Sequence, residues 1–503
     1  MKIFGKQLRF RSVVALANSK LPIKFAAVIL ASSTLVSALL GMFRDRLLNG
    51  YYLDTYPEGI DAYTVAFTIP DFMFFLLVSG ALSVTFIPVF NQRLASGNKK
   101  SAWELSSSLL NLLAIMTLVT SILIIIFAEP LVKYVVGPGL DESTRALAMS
   151  MMRVIAVNPF LFAIATLLSS MQQAVGRFVF CALAPAIYNV GIIIGIMFFT
   201  DGINLFGWQI FDGGIMGVAL GVVLGSVMQL VVGIIGLMGL GFDYEFKINW
   251  KNQGFRKVLK LLPARSMDQG IDYVNGIVEM NMASRMASGT MRSYQQALSL
   301  HSMPVSLIGV AISTAFFPKM TEDLGEGNDE LYKKDLRAAL RTIVWLAMPV
   351  AVITYFARGY VVNFIKNGGN ALIAGILGAL VLSIFCRSVF HIVARGFYAQ
   401  QDTKTPLRVS IVAIGLNIVL AVVFSLVLEL GPYGLAYAQS IGAVVEITIL
   451  LVLLNKRAQG LFNHEFWRAM MKMVIASAVA GAVAYIMTKL LDRKSTRLNS
   501  SHT

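Results

Sequence analysis

The sequence predicts an all-α, polytopic membrane helix bundle, and three observations predict it. Thirteen long apolar stretches follow one another along the 503-residue chain, and a helical stretch of about 18 or more apolar residues is long enough to cross a hydrocarbon core of roughly 30 Å. Charged residues make up 14% of the chain against 57% hydrophobic, where soluble domains carry about a quarter charged. The loops between stretches alternate between basic and neutral or acidic, which is the positive-inside pattern of a polytopic membrane protein. A net charge of +15 spread over alternate loops in this way does not describe a nucleic-acid face, which gathers its cations on one soluble surface.

Residues 1–24 are basic and are read as a cytoplasmic N-terminus. Spanning helices are predicted at 25–48, 61–90, 105–128, 147–173, 178–199 and 214–240, which form an N-terminal half over 25–245. A second set at 258–288, 293–318, 336–358, 371–399, 406–428 and 433–455 forms a C-terminal half over 246–456. A thirteenth helix at 466–490 occupies a region 457–492. Residues 493–503 turn abruptly polar, match nothing before them and are read as a non-native tail. Several spans exceed 25 residues and imply tilt or kinks. Pro70, Pro88, Pro159, Pro263, Pro304, Pro318 and Pro349 lie inside or at the ends of spans, where a missing N–H breaks the helical ladder. Cys181 and Cys386 fall in apolar segments without ligand spacing and are read as buried, inert thiols.

An internal repeat orders the spans. Ala81-Leu82-Ser83-Val84-Thr85-Phe86-Ile87-Pro88 resembles Ala311-Ile312-Ser313-Thr314-Ala315-Phe316-Phe317-Pro318, and the same offset pairs Leu94 with Leu324, Gly97 with Gly327 and Asn98 with Asn328. Six helices separate the copies, so the halves are parallel repeats with at least one extra C-terminal helix, and a transporter of this build places its substrate between them.

Ionisable residues at membrane depth usually face a cavity or a partner. Arg44-Asp45-Arg46 close the first span, and Asp61 and Asp71 lie early in the second. The seventh carries Arg265, Asp268, Asp272, Asn275, Glu279, Asn281 and Arg285. Asp268, Asp272, Asn275 and Glu279 recur at three- and four-residue steps and share one helix face. Arg387, His391 and Arg395 form a similar stripe on the tenth. Arg44, Arg46 and Arg395 stand where they either snorkel or line a cavity, whereas the acidic stripe of the seventh span points to a hydrated interior. His301 and His391 read as core histidines, and neither has Glu or Cys at metal-ligand spacing, so no metal site is expected. No Gly-rich phosphate loop and no supported Ser/His/Asp set is present; neither an enzyme nor an ATP-driven pump is expected.

The segment Gly396-Phe397-Tyr398-Ala399-Gln400-Gln401-Asp402-Thr403-Lys404-Thr405-Pro406 resembles the signature loop of the MurJ/MviN family of lipid II flippases, in the MOP transporter superfamily. Gly309 to Pro318, Phe43-Arg44-Asp45, Asp61-Ala62-Tyr63, Ile69-Pro70-Asp71 and Ala184-Pro185 with Asn189 resemble further segments of that family. The resemblance implies a fourteen-helix bacterial inner-membrane exporter. It would move undecaprenyl-pyrophosphate-linked peptidoglycan precursor from the inner to the outer leaflet by alternating access, without ATP, with other cell-wall synthesis or division proteins as candidate partners. It also implies that two helices beyond the twelve-helix core form a groove for the lipid tail, of which only the first is expected in this sequence.

A pyrophosphate calls for cations that bind it in bidentate fashion, as Arg does. The substrate-binding residues expected on this resemblance are Arg44, with Asp45 and Asp61 beside it, Arg265 and Arg285; Arg292 and Arg387 are further cations that substitute. Ala38, Phe74 and Ser299 stand where the family carries arginines. No cofactor is expected beyond a coupling Na+ or H+, for which Asp272, Glu279 and Asn417 are the candidates. The lost arginines keep three other readings open: a flippase for another lipid-linked oligosaccharide, a cation-coupled drug exporter, and a non-transporting cell-wall scaffold.

Overall fold

A computed structural model describes the backbone at residues 2–3, 6–7, 23–79, 86–205 and 208–500, and the side chains outside 1–24, 26–27, 79–85, 203–208, 210, 261–272 and 488–503. The chain divides into two compact units, residues 1–291 and 292–503. Both are built almost wholly of long helices. Twelve are long and apolar enough to cross a membrane among the described residues, which makes this a multi-pass membrane protein.

The first unit contains α1 (Ile23–Tyr52), α2 (Pro57–Phe74), α3 (Ile87–Ala95), α4 (Lys99–Pro130), α5 (Glu142–Ile155), α6 (Asn158–Ala174), α7 (Val179–Ile194), α8 (Met216–Leu237) and α9 (Gln253–Ala283). Two small antiparallel hairpins, Lys2–Ile3 with Lys6–Gln7 and Ile203–Leu205 with Trp208–Phe211, decorate the bundle. The second unit contains α10 (Thr290–Pro304, whose first residues precede the division), α11 (Ala311–Gly325), α12 (Asp329–Asn363), α13 (Ala371–Ala399), α14 (Lys404–Val422), α15 (Pro432–Arg457) and α16 (His464–Ser500).

Most predicted spans have a helical counterpart, and α13 matches its prediction end for end. The span predicted as continuous over 147–173 is instead two helices: α5 ends at Ile155, and α6 restarts at Asn158 with Pro159 in its first turn. Proline lacks the N–H that an interior turn needs but suits a helix start. The seventh span, α9, groups with the first unit, where its Tyr273 ring stacks on Phe75 at 4.5 Å.

Several features of the repeat recur in the backbone where both copies are described. The π-helical turn Phe75–Ser79 that follows α2 recurs as Val305–Val310 after α10, at the offset that joins Ala81 to Ala311. Gly97 and Gly327 adopt φ of 78° and 76°, the left-handed conformation glycine accepts without strain. Each is followed by an asparagine cap: Asn98 accepts from the Ser101 N–H at 3.0 Å, and Asn328 from the Leu331 N–H at 3.2 Å. Capping of this kind satisfies an otherwise orphaned donor. Residues 81–85 of the first copy lie outside the described residues.

Inside the first unit two helices meet at facing glycines. On α7 and its continuing π turn, Gly191 and Gly195 face Gly225 and Gly221 of α8; a Cβ built on Gly191 would lie 2.3 Å from the Gly225 Cα, and one on Gly195 2.4 Å from the Gly221 Cα. Small residues four apart allow helix backbones to touch, which is how helices associate where no hydrophobic force acts between them. The second unit is held by an apolar core running through Leu336, Ile343, Val389, Ile392, Phe397, Ile447 and Leu450.

Candidate functional site

Arg44 lies three-quarters of the way along α1, half-buried rather than spread at the surface. Its Nε and Nη2 both donate to Asp45 Oδ1, at 3.2 and 2.9 Å, and its Nη1 donates to Asn189 Oδ1 of α7 at 3.0 Å. The Asn189 amide N–H in turn donates to the Ser37 carbonyl at 3.3 Å and to the Pro185 carbonyl at 3.2 Å. A single buried amide therefore orients the guanidinium and ties α1 to α7. A second tie lies one turn along the same face, where the Ser33 hydroxyl donates to the Ala182 carbonyl. Asp71 of α2 lies within Coulombic range of Arg44, so the cluster gathers one cation and two acids. The side chain of Arg44 retains 24% exposure.

Asp61 is buried and accepts from the Gly289 N–H at 2.7 Å, pinning the chain just past α9 to α2. On α9, Asn275 donates through Nδ2 to Glu279 Oε1 at 2.9 Å and both are buried, so this part of the polar stripe forms an internal pair one turn apart. The side chains of Arg265, Asp268 and Asp272 lie outside the described residues. Arg285 stands exposed in the turn after α9, its Nη2 3.5 Å from Asn281 Oδ1.

In the second unit Arg387 of α13 pairs with Glu446 of α15 at 3.2 Å, and Ser410 of α14 donates to the other Glu446 oxygen at 2.6 Å. Glu446 is buried and was not singled out from the sequence: one acid in an apolar helix carries no local pattern, and its partner is on another helix. Arg395, on the same stripe, stacks over the Phe317 ring at 5.8 Å. His301 is buried and hydrogen-bonded to Ser383 at 3.1 Å, the core role expected of it. Arg292 is buried beside Gln296 one turn later, whose amide oxygen, suitably turned, accepts from both of its terminal nitrogens. Asn417 is buried in α14. Among the described residues no group of three or more His, Cys, Asp or Glu is placed to hold a metal, and Cys181 and Cys386 are buried and free.

The positions where arginine was expected are filled differently. Ala38 is exposed on α1. Phe74 packs edge-on against Phe162 of α6 at 5.5 Å, and Ser299 donates to the Gln295 carbonyl of its own helix.

The loop from Gly396 to Pro406 is a fastening. The Tyr332 hydroxyl of α12 donates to the Gly396 carbonyl at 2.9 Å and accepts from Gln400 Nε2 at 2.8 Å. Asp402 accepts from the Lys404 and Thr405 N–H groups, each at 3.0 Å, and pairs with Arg457 of α15 at 2.5 Å. Arg457 also lies over the Phe397 ring at 5.4 Å. Four helices are thus joined at one end. Burial would raise the Asp402 carboxyl, but the Thr405 hydroxyl and N–H and the Arg457 cation outweigh it and hold it at about 2.

The family model of the lipid II flippase MurJ matches residues 59–496. The chain belongs to the MurJ family. Among its MurJ relatives, the probable lipid II flippase MurJ of Bdellovibrio bacteriovorus is 26% identical over 465 residues, covering 90% of this chain and 86% of that protein. The lipid II flippase MurJ of Burkholderia cenocepacia is 26% identical over 452 residues, covering 86% and 84%. A solved MurJ in an inward closed conformation superposes with a TM-score of 0.72 at 22% identity, covering 93% of this chain and 99% of that one. An inward-facing multidrug MATE transporter of the MOP superfamily gives 0.70 at 16% identity over 86% and 98%. The fold is therefore common to MurJ and MATE proteins, and it is sequence that places this chain with MurJ. MurJ is a family of flippases, not of catalysts.

Proposed function

We propose that this protein flips lipid II, the undecaprenyl-pyrophosphate-linked peptidoglycan precursor, from the inner to the outer leaflet of the bacterial inner membrane, with its N-terminus in the cytoplasm. The observation that carries the reading is the family match over residues 59–496, joined by relatives named as lipid II flippases over some nine-tenths of the chain. The twelve membrane-length helices and the alternation of basic loops support a spanning transporter.

In this reading the head group crosses through a hydrated interior by alternating access while the polyprenyl tail stays in lipid. Arg44 supplies a cation for the pyrophosphate, because a guanidinium offers paired donors to phosphate oxygens. Asp45 and Asn189 accept from the guanidinium and hold it oriented in the absence of substrate, and its N–H groups turn to the phosphate when that arrives. Asp61, bonded to the Gly289 amide, shapes the chain near α9. Arg265 and Arg285 are the remaining cations assigned to the head group. Asp272, Glu279 and Asn417 are assigned to a coupling Na+ or H+.

The test is exposure of labelled lipid II on the outer leaflet after acute depletion of the protein in cells that rely on it, with rescue by wild type or by Arg44→Ala. Loss of exposure restored by wild type alone supports both the cargo and the arginine. Exposure that persists after depletion refutes the cargo, and rescue by Arg44→Ala refutes the role of Arg44.

A further inference from the structure

A cavity of about 570 Å³ opens among α12, α13 and α15, lined by Arg358, Tyr355, Tyr433, Tyr437, Ser440 and Gly378 among others. It lies at the helix ends remote from the basic loops: Arg358 is in the last turns of α12, Gly375 and Gly378 in the first turns of α13, and Tyr433 opens α15. Two glycines shape it. A Cβ on Gly375 would come within 2.6 Å of the Tyr433 ring, and one on Gly378 within 3.1 Å of Arg358 Cδ. The absent side chains let a tyrosine and the arginine stem lie flat on α13.

Arg358 stands over the Tyr355 ring at 4.7 Å and donates through Nη1 to the Tyr355 carbonyl. Among the described residues it makes no ion pair, so the cavity carries a net positive charge. The ring and carbonyl fix the guanidinium while leaving most of its N–H groups uncommitted. Tyr355 and Val381 also line a second cavity of about 450 Å³, whose other walls are apolar residues of α12, α13 and α16 such as Met348, Phe356, Val474 and Ala478. A cationic slot ringed by tyrosines thus adjoins a greasy one. That is the shape of a lipid with a phosphate head, and tyrosines are favoured at the depth where head groups sit.

We propose that this pair of cavities is a site for an anionic glycerophospholipid of the bilayer, its phosphodiester on Arg358 and one acyl chain in the apolar slot. The apolar slot borders α16, the helix that the family resemblance places beside the cargo's lipid tail, so the undecaprenyl arm of the test separates the two occupants.

The experiment uses the full-length protein, delipidated in mild detergent, with native mass spectrometry to count bound phosphatidylglycerol; competing arms contain phosphatidylcholine, inorganic phosphate and undecaprenyl phosphate. The expected result is a first phosphatidylglycerol bound about tenfold more weakly by Arg358→Gln, the loss of one charge-assisted contact. Arg358→Lys retains most of the affinity, Gly378→Leu removes it by filling the slot, and neither phosphatidylcholine nor inorganic phosphate competes. Equal binding by wild type and Arg358→Gln overturns the proposal. So does displacement by undecaprenyl phosphate at equal concentration, which assigns the cavities to the transported lipid. Unfolding temperatures are measured for each variant; should Gly378→Leu fail to fold, Arg358→Gln, which adds no volume, decides.

Discussion

The Arg44–Asn189 contact separates an arginine held for an anion from one that merely reaches an interface. Asn189→Leu removes the acceptor of Arg44 Nη1 and the donor contacts to α1 and to the second turn of α7 while keeping the side chain's volume close to that of asparagine. A hydrogen bond to a charged group contributes about 1.5–3 kcal/mol. Arg44 keeps both of its bonds to Asp45, so the cost is expected near the lower limit, about 1–2 kcal/mol of unfolding stability. Asn189→Asp is the sharper variant. It preserves the acceptor and adds a carboxylate at 3.0 Å from Nη1, a gain offset by setting an oxygen against the Ser37 and Pro185 carbonyls that the amide N–H groups had served, so thermal stability in detergent should change little. The cation would then be over-neutralised, and outer-leaflet exposure of labelled lipid II should fall at least tenfold. Asn189→Asp that remains folded and flips at the wild-type rate refutes the use of the Arg44 charge. Asn189→Leu with unchanged stability and transport refutes the orienting role of the amide.

Glu446→Gln leaves the Arg387 guanidinium without its carboxylate and should cost about 2–3 kcal/mol, below the range for a wholly buried cation because Arg387 is partly exposed; the double change Arg387→Leu with Glu446→Leu should recover most of it in a thermal-unfolding cycle, and strict additivity would dismiss the pair. Gly221→Val places a Cβ 2.5 Å from the Gly195 Cα, where carbon contacts need about 3.5–4 Å, and should lower stability by about 1–3 kcal/mol; an unchanged unfolding temperature would mean the two helices are not pressed together. For the Asp402 fastening the carboxyl lies below its ordinary 3.8, at about 2, so its stabilisation is present above the ordinary range and is lost as pH falls from about 4 towards 2. Asp402→Asn should lower the unfolding temperature near neutral pH and flatten its dependence across that acid window, while identical acid profiles for both proteins would contradict the contact.

What the sequence made legible follows from which forces are local. Hydropathy and length located the membrane helices, because lipid demands an unbroken apolar stretch and a closed backbone ladder. The repeat was readable from Gly97 and Gly327 and their asparagine caps because a left-handed turn accepts few residues. The break before α6 had its signal in Asn158-Pro159, but the apolar run on either side outweighed it. The glycines of α7 and α8 stand four apart in plain view, yet a glycine reveals its role only once its facing backbone is known. Within the candidate site, Arg44, Asp45 and Asn189 were each named, but that Asn189 holds Arg44 needed α1 and α7 brought together. Glu446 escaped because intramembrane pairing is tertiary. The acidic stripe of α9 was visible as periodicity, and Asn275 and Glu279 do lie together on it.

The stretch that most plainly marks the family, Gly396 to Pro406, spends several of its polar atoms on its own molecule: a carbonyl taken by Tyr332, an amide spent on the same phenol, a carboxylate divided between a helix start and Arg457. Such a stretch is diagnostic of assembly and says little about cargo. A protein that kept these eleven residues and carried something else would look just as much like a relative, so choice of freight in this lineage has to be sought on the helices lining the interior and not in its most recognisable words.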